Sequence, residues 1–210
     1  MKVKVFTVGA IEEQAYLLID ENTNEAVIVD PGAEAGRLIQ CIKDEGVTLK
    51  AILITHGHFD HIGAVEPIAK EFDAEVIAHT NGKIYLPDMN MNLSYKFDRT
   101  RIEIEATKYV DDNEQIVINQ SELEFEVLHV PGHTTDSVAY YHKASGSLFV
   151  GDIIFAGSIG RSDFPLGNGL QLVEGIKARI FTLPDEVVIY PGHGPVTSVG
   201  FEKATNPRVR

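Results

Sequence analysis

The chain has 210 residues, 44% of them apolar, with 31 acidic against 18 basic side chains and a formal net charge of −13. That length and apolar fraction suit one globular domain over residues 1–210 and exclude a disordered chain, while the acidic balance argues against a nucleic-acid partner, whose phosphates call for a basic stripe. The lone Cys41 excludes an intramolecular disulfide, and no stretch approaches the ~20 apolar residues of a membrane span, so the expectation is a cytoplasmic protein without a membrane partner.

Alternation over Val3–Val8 and Gln14–Asp20, then the apolar run Ala26–Val29, predicts three antiparallel strands joined by turns at Gly9–Glu13 and Glu21–Asn24. Asp30-Pro31-Gly32 stops the third. In Glu34–Glu45 the residues Leu38, Ile39 and Ile42 fall on a helical stripe, with Gly46 as the C-terminal cap. Leu49–Ile54 is apolar enough to lie inside a sheet, and it runs directly into Thr55-His56-Gly57-His58-Phe59-Asp60-His61. A helix over Gly63–Phe72 and a strand over Glu75–Ala78 follow. Asn81–Arg101 reads as helix fragments and loop bordering a binding site, and Glu103 and Glu105 as a solvated strand face. Further strands are predicted at Gln115–Ile118, Leu123–Val130, Ser137–His142, Leu148–Val150 and Val187–Tyr190, with a helix over Leu170–Phe181. Thr197 or Ser198 caps a last short helix that Pro207 ends. Two groups of strands, each followed by helices, predict an α/β protein built as a four-layer αββα sandwich.

Eight histidines are the compositional feature that needs a reason. Thr55 to His61 carries four potential metal ligands, His56, His58, Asp60 and His61, just past a strand end. Three more candidates stand beside glycine at predicted strand ends: His133 in Pro131-Gly132-His133-Thr134, Asp152 in Gly151-Asp152, and His193 in Gly192-His193-Gly194. Imidazole nitrogen and carboxylate oxygen suit zinc, manganese or iron. Strand ends at one rim of a sandwich converge, so these residues predict a metal centre. His129 and His142 are read as packing or surface residues, and for His79, which ends a strand, a place at the site rim is the less favoured reading.

The ordered motifs THGHFDH, PGHT, GD and GHG resemble the metallo-β-lactamase superfamily, and within it the glyoxalase II-like hydrolases (hydroxyacylglutathione hydrolases), over nearly the whole chain. That resemblance implies that His56, His58 and His133 hold one divalent ion, that Asp60, His61 and His193 hold the other, and that Asp152 bridges them. Zinc is the first assignment, with iron or manganese as alternatives. Two divalent ions, two carboxylates and one hydroxide sum to about +1, suited to an anionic tetrahedral intermediate. Asp60 is the candidate catalytic residue, orienting the attacking hydroxide.

The expected reaction is hydrolysis of a small-molecule acyl-thiol, a thioester of hydroxyacylglutathione type. Gly160-Arg161-Ser162-Asp163 resembles a segment of the short glyoxalase II-like proteins, and Arg161 is assigned either a substrate carboxylate or an ion pair with Asp163. The chain ends about where full-length glyoxalase II begins its glutathione-binding helical domain, so the resemblance carries the reaction further than the thiol. Thr135-Asp136 departs from the Pro-Gly more usual after PGHT and adds a negative charge next to His133. The alternatives are a mononuclear iron persulfide dioxygenase using His56, His133 and Asp152, and a lactone or other ester hydrolase. A β-lactamase with a cysteine ligand is disfavoured, since Cys41 is far from every motif.

Overall fold

The computed structural model describes residues 1–119 and 121–209. The first half builds β1 (Lys2–Val8), β2 (Glu13–Asp20), β3 (Glu25–Val29), α1 (Ala35–Glu45), β4 (Thr48–Leu53), α2 (Phe59–Ile62), α3 (Val65–Phe72), β5 (Glu75–His79), α4 (Gly82–Tyr85), α5 (Ser94–Phe97) and β6 (Lys108–Val110). The second half builds β7 (Gln115–Val117), β8 (Glu124–His129), β9 (Val138–His142), β10 (Ser147–Gly151), β11 (Ile154–Phe155), β12 (Ser158–Ile159), α6 (Gly169–Gly175), β13 (Val188–Pro191), β14 (Thr197–Ser198) and α7 (Val199–Thr205).

Two sheets form, one ordered β1-β2-β3-β4-β5-β6 and the other β14-β13-β10-β9-β8-β7, with β11 and β12 as a separate hairpin. Strand alternation sorts their side chains into three apolar layers. Leu17 and Ile19 of β2 face α1 and α3, packing with Leu38, Ile42 and Ile68. Tyr16 and Leu18, one residue out of phase, face the other sheet and meet Phe125, Val127 and Tyr140. On the far side, Leu148 and Val150 of β10 pack on Leu172, Ile176 and Val199. The order helix, sheet, sheet, helix is the expected four-layer sandwich.

Hydrogen bonds lock the sheets together at one rim. Val138 N–H donates to Thr55 O at 2.9 Å and Gln14 N–H to Gly192 O at 2.8 Å, while the Tyr140 and Tyr16 hydroxyls reach Ile54 O and Pro191 O at 2.7 and 2.6 Å. The acceptor strands β4 and β13 are those whose ends carry the histidine motifs.

Three expectations are corrected. The helix predicted over Gly63–Phe72 is α3 and starts two residues later, at Val65, because Ala64 N–H turns to Pro31 O at 2.9 Å, and the short α2, absent from the predicted elements, precedes it. Glu103 and Glu105 are exposed as expected but lie outside any strand, because Ile104 N–H donates to Leu86 O at 3.0 Å and the ladder to β5 starts only at Lys108. The helix predicted over Leu170–Phe181 is α6 followed by a π-helical turn at Ile176–Ile180. Ser198 is the cap of α7, its side chain accepting from Phe201 N–H at 3.3 Å.

Candidate metal centre

All seven proposed ligands come together at the rim between the sheets. His56 and His58 stand on the loop leaving β4, Asp60 and His61 on α2, His133 between β8 and β9, Asp152 just past β10, and His193 just past β13. The His56 Nε2, His58 Nδ1 and His133 Nε2 atoms are mutually 3.2, 3.2 and 2.9 Å apart. Beside them, Asp60 Oδ2 lies 3.2 Å from His193 Nε2 and 3.5 Å from His61 Nε2. Asp152 stands between the groups, with Oδ2 3.6 Å from His133 Nε2 and Oδ1 3.4 Å from His61 Nε2.

The far nitrogen of most of these rings is engaged, which sets the tautomer and aims the other nitrogen inward. His133 Nδ1–H donates to Arg161 O at 2.6 Å and His193 Nδ1–H to Ile11 O at 3.1 Å. His56 Nδ1–H reaches Thr55 Oγ1 at 3.2 Å, and His61 Nδ1–H reaches Asp30 Oδ2 at 3.0 Å. Burial, reinforced by the neighbouring imidazoles, holds His56 well below its ordinary pKa, His58 down to about 3, and His133 below the usual histidine value. These three rings are therefore neutral, with lone pairs converging on one point. Burial opposes ionisation of Asp152 and Asp60, yet the His61 charge beside them prevails and both carboxyls titrate below their normal range. Burial also opposes charging His61, and Asp60 and Asp152 overcome it, raising its pKa.

This donor set fits divalent metal ions. Lone pairs packed this closely repel one another unless a cation lies among them, and His61 Nε2 and Asp152 Oδ1 are buried with no hydrogen-bond partner. Asp30, His56 and His61 also cluster within 4.8 Å, but the Asp30 oxygens are taken by Thr55 and by His61 Nδ1, so this residue buttresses the ring.

The centre opens into a cavity of about 840 Å³. Phe59 stacks on Phe97 at 6.1 Å between ring centroids, and Phe164 stands edge-on to His58 at 5.2 Å. Leu93 and Phe97 line this cavity, so the irregular 81–101 segment does border the site. Arg161 is at the rim; its guanidinium grips both oxygens of Asp163, at 2.9 and 2.7 Å, and covers the Phe164 ring at 4.5 Å. Away from the centre, His79 and His129 stack on each other at 4.0 Å, and His142 is bonded to Glu122 O and Ser145 Oγ. Cys41 is half-buried on α1.

Two residues behind His61 escaped sequence reasoning. In the sequence Asp30 opens the stop Asp30-Pro31-Gly32 and Glu13 ends the turn Gly9–Glu13, and neither setting marks a residue of the site. Glu13 is buried with neither carboxylate oxygen hydrogen-bonded, Oε1 lying 3.9 Å from His61 Nδ1, and burial pushes its carboxyl well up. The available signal for Asp30 was its position: it closes β3 as Thr55 follows β4, and these strands are parallel neighbours.

Residues 10–193 match the family model of the metallo-beta-lactamase superfamily. The chain is 33% identical to hydroxyacylglutathione hydrolase GloC of Haemophilus influenzae over 207 residues, which is 99% of this chain and 97% of that protein. Among solved structures it is similar to the BLEG-1 B3 metallo-beta-lactamase, with a TM-score of 0.94, 37% identity and 99% of each chain covered. It is also similar to TTHA1623 in a di-iron-bound form, with a TM-score of 0.84 and 34% identity, over 98% of this chain and 99% of that one. Among the described residues no helix is long and apolar enough to cross a membrane.

Proposed function

Since the chain belongs to the metallo-β-lactamase superfamily of metallo-hydrolases, we propose that it holds two divalent ions and hydrolyses a small-molecule acyl thioester. His56, His58 and His133 are assigned to one ion, Asp60, His61 and His193 to the other, and Asp152 to both. Zinc is the first assignment, and iron, supported by the di-iron form of TTHA1623, or manganese the alternative. The observation that carries the reading is the trio of histidine nitrogens within 3.2 Å of one another, beside a carboxylate whose oxygens face both groups. When bound, such ions make hydroxide available near neutral pH and polarise an acyl carbonyl.

The chain's own side chains do the rest. Asp60 is the catalytic residue in this reading, its carboxylate accepting a hydrogen bond from the attacking water and so aiming the oxygen at the carbonyl. Phe97 and Phe164 give the acyl group an apolar wall in the cavity. Arg161 takes a substrate carboxylate by exchanging it for Asp163, a solvent-exposed pair that yields readily.

The test measures metal content and assays the purified protein on S-D-lactoylglutathione, other thioesters, lactones, β-lactams and glutathione persulfide. The expected result is about two ions per chain and thioester cleavage. One iron per chain with oxygen uptake on the persulfide would replace this reading by the dioxygenase one, with His56, His133 and Asp152 as ligands. The 37% identity to BLEG-1 favours β-lactam hydrolysis as a second reading, and faster turnover of a lactam than of any thioester would install it.

A further inference from the structure

Buried backbone N–H groups need acceptors, and the loop from β4 to α2 has left its ladder behind. Two carboxylates from different parts of the fold supply them. Thr55 N–H donates to Asp30 Oδ1 at 2.7 Å, within the first sheet. Gly57 N–H, between His56 and His58, donates to Asp136 Oδ2 at 2.9 Å, and Asp136 lies on the His133 loop of the second sheet. Asp136 is only 2% exposed, and its Oδ1 is buried without a hydrogen-bond partner. A carboxylate this poorly compensated is costly to bury.

The surrounding contacts hold the same two loops. A Cβ on Gly57 would come within 2.5 Å of Tyr85 Cβ and 3.3 Å of Asp136 Oδ2, so the close approach depends on glycine. The Tyr85 hydroxyl accepts Thr135 N–H at 3.0 Å, and Asn81 Nδ2 donates to Thr135 O at 2.9 Å. Asp136 is thus the direct link from the His133 loop to the backbone between the other two histidines of the trio.

We propose that Asp136 is a positioning residue of the metal centre: by accepting the Gly57 N–H it sets the His56-His58 loop in register with His133. This rests on the metal-centre reading above and goes beyond it, since no ligand role falls to Asp136. The carboxylate oxygen acts as an acceptor, so an amide of the same shape serves in its place, whereas a methyl group does not.

The test titrates metal-free wild type, Asp136→Ala and Asp136→Asn with cobalt(II) alone, reading affinity and the visible ligand-field bands, and follows the Gly57 amide proton by NMR. Asp136→Ala is expected to weaken the first equivalent of cobalt about 10- to 100-fold, shift the bands and move the Gly57 amide proton upfield, while Asp136→Asn stays within about threefold of wild type. Should Asp136→Ala not fold, the asparagine variant decides: loss of cobalt with the Gly57 hydrogen bond intact overturns the proposal. Cobalt bound equally by wild type and Asp136→Ala with identical bands overturns the role of Asp136 alone. A wild-type protein that takes up no cobalt overturns the metal centre itself.

Discussion

Gly192→Ala tests the geometry of the second ligand group with one methyl. A Cβ at this position would lie 2.6 Å from Asp152 Oδ1 and 2.6 Å from His61 Cε1, two of the proposed ligands. Non-bonded contacts are best near 3.5 Å, so each atom has to withdraw by roughly 0.9 Å. Metal–ligand distances tolerate only about 0.2 Å, so the displacement is several times what a bound ion accepts. Gly192 lies outside the positive-φ positions, the two nearest atoms belong to side chains, and the nearest backbone atom, Gly151 C at 3.2 Å, has to give by only a few tenths of an ångström. The expected outcome is a folded protein that loses affinity for its second equivalent of metal by about 100-fold, or about 2.7 kcal/mol. Zinc titration against a chromophoric chelator reads the affinity, and the melting temperature of the metal-free protein reads the fold. Two equivalents bound with wild-type affinity would refute the reasoning, because the ligands would then have moved without consequence.

Three further outcomes are expected. Asp60→Asn keeps the fold and lowers thioester turnover about 100-fold or more, as removal of a water-orienting carboxylate does; unchanged kcat removes Asp60 from the chemistry. Gly36→Ala on α1 meets nothing within 4 Å and is expected to raise stability by about 0.5 kcal/mol in urea denaturation, with a loss counting against the exposed position assigned to it. Burial and the stacked His129 hold the His79 imidazole down to about 4, against 6.5 for an ordinary histidine. The unfolded chain therefore binds a proton that the folded one refuses, and stability is lost as pH falls from 6.5 through 4. In His79→Asn the slope of urea midpoint against pH over that window should flatten, and an unchanged slope would exclude His79 as its source.

Much of this architecture is legible in local pattern. The phase of apolar residues in β2 assigns Leu17 and Ile19 to one face and Tyr16 and Leu18 to the other, and both faces are buried as a sheet between two layers requires. The helical stripe of α1 and its cap at Gly46, φ 66°, follow from spacing and residue type. Boundaries failed where a non-local hydrogen bond intervened, as at Ala64, whose N–H turns to Pro31 O, and at Ile104, which turns to Leu86 O.

The proposed ligands stand out in the chain because each has a short local context, a strand end beside glycine, and because histidine and aspartate are side chains that suit metal chemistry. Which nitrogen of His133, His193 and His61 faces inward could not be read that way, because it depends on Arg161 O, Ile11 O and Asp30, residues far along the chain from the rings they orient. The same holds for Glu13 behind His61 and for Asp136 beneath Gly57. Sequence alone determined the inventory of donors, since composition and short-range spacing carry it. Tertiary structure decided how those donors are aimed, because a buried polar group takes its partner from whatever strand or loop packing brings within about 3 Å, and that neighbour is set by the pairing of the sheets.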